Sequence, residues 1–137
     1  MSVLADSGAL YALLDRDDAW HARVRDWWGH TIEDVRVPAA ILPELTYFLH
    51  RRLGARAEAA FTCAVAAGEF ALEPLDPADV VRAAELMGEH ADVPLGFVDA
   101  AVAAAAERIG ATGLLTTDRR HFARLRPRHV PSFRLLP

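Results

Sequence analysis

The chain alternates short apolar runs with longer stretches in which apolar residues return every three or four positions, the two patterns that separate buried strands from amphipathic helices. Ser2 to Asp6 contains the run Val3-Leu4-Ala5 and reads as a short buried strand, followed by a helical stretch from Ser7 to about Leu14. Trp20, Val24, Trp27 and Trp28 recur at helical spacing between Asp17 and His30, with Arg23, Arg25 and Asp26 on the other side. That pattern predicts an amphipathic helix. Val35 to Pro38 predicts a second strand. Pro43 falls where the first turn of the next helix accepts proline; Leu45, Phe48 and Leu49 give that helix an apolar face, and Gly54 stops it. Arg56 to Ala67 predicts another helix, ended by Gly68, and Phe70 to Leu75 a third strand. Pro77 opens a helix to about His90, and Pro94 and Gly96 break the chain before an alanine-rich helix, Phe97 to Ile109, that Gly110 ends. Leu114 to Thr117 predicts a fourth strand, Arg119 to Leu125 a short helix, and Phe133 to Leu135 a last strand.

Strands separated by helices imply a parallel sheet covered on both faces, an α/β fold. No internal repeat or low-complexity linker divides the 137 residues, so one domain over residues 1–137 is expected. A chain of that length buries roughly two-thirds of its unfolded surface. The one cysteine, Cys63, excludes an intramolecular disulfide and, within the apolar run Phe61 to Ala67, reads as a buried small hydrophobe. No leader pattern opens the chain and no apolar run reaches membrane-spanning length, although Phe97 to Ala106 is largely apolar. A soluble, cytoplasmic protein without membrane attachment is the expectation.

The predicted elements sort the acids into two groups. Asp15, Asp17, Asp18 and Asp26 fall in a charged stretch of helical character, and Asp76 and Asp79 lie where a helix starts, a position the helix dipole favours for any carboxylate. Four others adjoin apolar runs: Asp6 ends Val3-Leu4-Ala5, Glu44 interrupts Ile41-Leu42 and Leu45, Asp99 follows Phe97-Val98, and Asp118 follows Leu114-Leu115. Desolvating a carboxylate is costly, so acids placed there call for a partner. Asp6 and Asp118 lie at the C-terminal ends of parallel strands and leave the sheet on one rim; Glu44 and Asp99, in the opening turns of helices that begin on that rim, can point back to it. A set of carboxylate oxygens without histidine or cysteine selects a hard cation, Mg²⁺ with Mn²⁺ as the alternative, and the six scattered histidines form no zinc motif. Such a cation activates water against a phosphodiester, and no protein nucleophile is required. Ser7 and Thr117 stand beside two of these acids, where a hydroxyl can orient a carboxylate or a water. Ser7 has the simpler alternative of capping the first helix.

Composition narrows the substrate. All fifteen basic residues are arginine, which closes the Walker phosphate loop and weakens aspartate-based phosphoryl transfer of the haloacid-dehalogenase or response-regulator type, because each relies on lysine. The net charge of -4 hides an asymmetry: residues 108 to 137 hold seven arginines against one acid, Asp118. A basic segment adjoining a carboxylate site suits a polyanion such as nucleic acid, with Arg119 and Arg120 as candidate phosphate-binding residues. Read alone, the segment is more simply a solvated basic tail; its place immediately after Asp118 is what favours nucleic acid.

Four stretches carry a family resemblance: Leu4-Ala5-Asp6-Ser7-Gly8-Ala9-Leu10 with Leu14-Asp15-Arg16-Asp17-Asp18 downstream; Leu42-Pro43-Glu44-Leu45-Thr46-Tyr47; Ala91-Asp92-Val93-Pro94 running into Val98-Asp99-Ala100; and Thr116-Thr117-Asp118-Arg119-Arg120-His121-Phe122. In this order, over nearly the whole chain, they resemble the PIN-domain nucleases and in particular the VapC-like toxins of type II toxin-antitoxin pairs. The resemblance implies a PIN-like three-layer α/β/α sandwich with a five-stranded parallel sheet, Mg²⁺-dependent endoribonuclease activity, inhibition by a small VapB-like protein antitoxin, and a homodimer. It makes Asp6 and Asp99 the acids most directly tied to metal and catalysis, with Glu44 and Asp118 completing the cluster. Asp92 matches a recurrent acid and is given a structural role, capping or bracing the loop at Pro94. Gly96 stands where relatives often place a further acid.

Trp20, Trp27 and Trp28 have two readings, packing in the core or contact with a dimer partner or antitoxin. The rivals to a toxin are a PIN nuclease acting in RNA processing outside a toxin pair and a non-catalytic RNA-binding domain. A phosphatase with an aspartyl nucleophile is disfavoured, because Gly8 occupies the place of its second aspartate.

Overall fold

The computed structural model describes all 137 residues. Strands β1 (Ser2–Ala5), β2 (Asp34–Pro38), β3 (Ala71–Glu73), β4 (Gly113–Leu115) and β5 (Arg134–Leu136) form one parallel sheet in the order β3-β2-β1-β4-β5. The connections are α1 (Ser7–Leu14) and α2 (His21–His30); a 3-10 turn (Ala39–Ile41) with α3 (Leu42–Leu53) and α4 (Ala55–Ala66); α5 (Pro77–Glu89) and α6 (Phe97–Ile109); and α7 (Arg119–Arg124). This is the expected α/β architecture with five parallel strands. β1 takes the centre because Val3, Leu4 and Ala5 are all fully buried. Successive side chains on a strand face opposite sides of the sheet, so both faces at β1 are covered.

The strand order reverses at β1: the chain builds outward to β2 and β3, then returns through α5 and α6 to lay β4 on the other flank. Beyond the carboxyl ends of β1 and β4 lies the switch point of the sheet, where an open α/β fold leaves a crevice. α6 reaches this rim by lying close to the sheet. Its residues Ala100 to Ala106 are all buried, and their small side chains let the helix pack between β1 and α5.

Three expectations shift. The second helix begins at His21, not near Asp17, because the Asp15 and Asp18 carboxylates accept hydrogen bonds from Asp17 N (2.9 Å) and Trp20 N (2.8 Å) and hold this stretch in turns. The third strand ends at Glu73, since Pro74 has no N–H to donate. Cys63 is exposed. α4 buries Phe61 alone, and two residues further along a helix points to the opposite side. No helix is long and apolar enough to cross a membrane.

Candidate active site

β1 and β4 pair in register through Ala5 and Leu115, so the next residues, Asp6 and Thr116, leave the sheet side by side. Asp6 N donates to the Leu115 carbonyl at 3.0 Å. The Asp6 carboxylate caps α1 by accepting from Ala9 N at 2.7 Å, and its other oxygen accepts from the Thr116 hydroxyl. Asp118 likewise caps α7, accepting from His121 N at 3.4 Å, while Asp118 N donates back to Thr116 Oγ1 at 2.9 Å. Thr116, fully buried, thus ties one site acid by its proton and the backbone of a second by its lone pair. Glu44 sits in the opening turn of α3, where Ser7 Oγ donates to its Oε1. Asp99 sits in the opening turn of α6. Capping and site placement are therefore the same geometry for Asp6 and Asp118: the helix starts that accept a carboxylate are the starts that ring the crevice.

Asp6, Glu44, Asp99 and Asp118 line one cavity of about 590 Å³ with Ser7 and Thr117. The price of this proximity is electrostatic. Burial, with Asp99 and Asp118 nearby, pushes the Asp6 carboxyl up to about 7. Burial and the charges of Asp118 and Glu44 push Asp99 up to about 6. His121 responds in the opposite sense: its Nδ1 lies 2.5 Å from Asp118 Oδ2, and that hydrogen bond and charge hold its proton more tightly than usual. Ligand atoms of Asp99, Asp118 and His121 lie within 4.8 Å of one another. Protons held this tightly by crowded carboxylates, with hard oxygen donors on several sides, are what a divalent cation relieves, so the residues present fit one.

A family model for the PIN domain matches residues 3–126. The chain belongs to the PIN-domain family. This PIN domain is 31% identical over 135 residues to Ribonuclease VapC26 of Mycobacterium tuberculosis, an alignment spanning 98% of this chain and 100% of that protein. Among solved structures, it superposes on VapC20 of Mycobacterium tuberculosis, a sarcin-ricin loop cleaving toxin, with a TM-score of 0.77 and 24% identity over 85% of this chain and 91% of that one. It superposes on the DNA-bound VapBC of Salmonella typhimurium with a TM-score of 0.74 and 17% identity over 98% and 96% of the two chains. These two structural likenesses carry the fold.

Several site residues of this PIN domain depart from expectation. Ser7 does not cap α1; Asp6 does, and the Ser7 hydroxyl is spent on Glu44. Thr117 lines the cavity but the hydroxyl bonded to Asp6 belongs to Thr116. Thr117 instead explains Gly8: a Cβ on Gly8 would come 2.6 Å from Thr117 Oγ1, so the first turn of α1 approaches the β4 loop only without a side chain. Histidine, expected to be absent, is present as His121, and the signal for it is its place three residues after Asp118. Asp18, read as a charge of a helical stretch, lines the cavity, as does Arg52, which follows Glu44 at i+8 through Phe48 at i+4 on one helix face. Asp92 is exposed and makes no side-chain hydrogen bond that braces Pro94. Gly96 lines the cavity with open space about its Cα, so the missing acid there is a matter of sequence and not of room.

The basic segment is less uniform than its count. Arg108 is bound by Asp79 and Glu73, Arg128 by Glu85, and Arg134 by Glu33. Arg119 and Arg120 are exposed on α7, immediately after Asp118, with the Arg119 guanidinium 5.8 Å from the Trp20 ring and bonded to the Pro137 carbonyl. The three tryptophans are partly buried and pack against the core, Trp28 on Phe70 at 5.9 Å between ring centroids.

Proposed function

We propose that this PIN domain, taken as one domain over residues 1–137, is a metal-dependent endoribonuclease and the toxin of a type II toxin-antitoxin pair. The observation that carries the reading is the convergence of Asp6, Glu44, Asp99 and Asp118 in one cavity at the switch point of the sheet. Its kinship to a protein named a ribonuclease, over nearly the full length of both, supports the choice of reaction. Likeness to VapBC assemblies supports a small protein antitoxin as partner.

The four carboxylates would hold Mg²⁺, with Mn²⁺ as the alternative; when bound, the cation lowers the pKa of water and offsets negative charge on the phosphodiester. The chain's own residues supply the positions. Ala9 N and Thr116 fix the two oxygens of Asp6, Ser7 fixes Glu44, and His121 and the α7 N-terminus fix Asp118. These bonds leave Asp6, Glu44 and Asp118 little freedom to turn away, which a hard cation with strict octahedral demands requires. Arg119 and Arg120 face solvent beside Asp118 and would hold phosphates of the RNA strand. The protein would act in the cytoplasm, as a homodimer whose activity the antitoxin blocks by covering the cavity.

Induced expression in a bacterial host tests the toxin assignment. Growth arrest with fragmented RNA, relieved by co-expressing a small protein encoded immediately upstream, is the expected result. Arrest that no neighbouring gene relieves, or RNA cleavage without arrest, moves the protein to RNA processing.

A further inference from the structure

Arg52 is the one cation among the residues lining a cavity that also presents Asp6, Asp18, Glu44, Asp99 and Asp118. With five carboxylates lining the same cavity, an ion pair is the obvious fate of a guanidinium there. Arg52 forms no salt bridge, although Arg36, Arg82, Arg108, Arg128 and Arg134 all do; the acid whose charge it feels is Asp15, already bonded to the Tyr11 hydroxyl. It is held by aromatic faces instead. Its guanidinium carbon lies 5.0 Å from the centre of the Tyr11 ring and 5.2 Å from that of Phe48, a contact that orients the planar group without neutralising it. The support is itself fixed: Tyr11 is buried and its hydroxyl donates to Asp15 Oδ2 at 2.5 Å.

Position adds to the case. Glu44, Phe48 and Arg52 follow one another at four-residue intervals on one face of α3, and long side chains on a helix lean toward its N-terminus. The guanidinium over Phe48 therefore lies back toward Glu44, about one helical turn or ~5.4 Å beyond it. An oriented, fork-shaped cation with no salt bridge, one step from a cluster of metal-binding acids, is complementary to a phosphate adjoining the one that the acids address.

We infer that Arg52 is a substrate-binding residue that takes a phosphate of the RNA strand neighbouring the scissile one. The inference rests on the ribonuclease reading and gives α3 a handhold on the cavity separate from the one Arg119 and Arg120 would supply from α7. Its competitor is a structural role, since Arg52 also stands in the last turn of α3, where any cation suits the helix dipole.

The experiment uses the full chain and its Arg52→Ala and Arg52→Lys variants. One arm measures cleavage of a defined single-stranded RNA with Mg²⁺, and the other measures binding of the same RNA in EDTA, where nothing is cut. Arg52→Ala should raise KM and the EDTA dissociation constant about tenfold, leave kcat within about twofold, and lower the salt slope of binding by about 0.7. Arg52→Lys should recover part of the binding, because it restores charge without the planar fork. Unchanged KM and binding in Arg52→Ala, with only a lowered Tm, overturns the inference in favour of the dipole role while wild-type cleavage keeps the ribonuclease reading standing. Wild-type protein that neither binds nor cuts RNA overturns both.

Discussion

Asp6 is only 5% exposed, and two further carboxylates act on it, so its proton is retained up to about pH 7 where an ordinary aspartate releases it near 3.8. A carboxyl raised in the folded state makes folding bind protons, and stability is then lost as pH rises through that window. Below about pH 4 both states are protonated and Asp6 costs nothing. Above pH 7 the full penalty is present. Asn keeps the cap on Ala9 N and a hydrogen-bonding partner for Thr116 without the charge, so Asp6→Asn should exceed wild type in stability by roughly 2 kcal/mol at pH 8 and match it near pH 4. Chemical denaturation in chelator across that range checks this; a difference that does not change with pH contradicts it. At this scale the sequence revealed residues whose meaning is local. Asp6, Glu44, Asp99 and Asp118 were legible because each abuts an apolar run. Thr116 was not, because its role depends on Asp6, 110 residues away, and Arg52 was not, because its role depends on Tyr11 in a different helix.

Helices and strands follow their punctuation closely. α6 occupies the expected Phe97–Ile109, because Pro94 and Gly96 precede it and Gly110, at a φ of 72°, ends it in a conformation glycine adopts without strain. The 3-10 turn Ala39–Ile41 left no such mark, and the Asp15 to Trp20 turns are set by side-chain bonds that imitate helix composition. Asp79 shows where a correct local reading is incomplete. It does complete a capping box with Asp76 at the start of α5. It is also only 1% exposed and receives Arg108 of α6 through bonds of 2.9 and 3.0 Å, while Arg82 of α5 reaches Glu107 of α6 at 2.8 and 3.1 Å. These pairs lock α5 to α6, and α6 carries Asp99. Asp79→Ala removes one of the two buried acids that hold Arg108, leaving Glu73, together with half of the capping box, and should destabilise the protein by about 2 kcal/mol in urea unfolding; a loss below about 0.5 kcal/mol would show that the pair is solvated and does not brace the helix.

The whole molecule is acidic yet reads as a binder of polyanions, and the distribution of its arginines reconciles the two. Arg108, Arg128 and Arg134 are committed to acids elsewhere in the fold; Arg119 and Arg120 are exposed next to the cavity. Replacing both should weaken RNA binding and reduce the magnitude of its salt slope by about 1.4, two single-strand phosphate contacts. Binding titrations between low and moderate salt measure this, and an unchanged slope makes these residues bystanders. Strand order was not legible, since periodicity identifies strands and not their neighbours, and that order is what brings Asp6 beside Thr116 and Asp118. The claim that depends on all three scales is that four acids from four segments form one metal-dependent nuclease site. Its most direct test is cleavage of a defined RNA by purified protein, with and without Mg²⁺, comparing wild type with Asp6→Ala and Asp99→Ala. Wild type should cut only with the metal and each variant should lose at least about a hundredfold in rate; cleavage that survives either substitution at the wild-type rate would contradict the site.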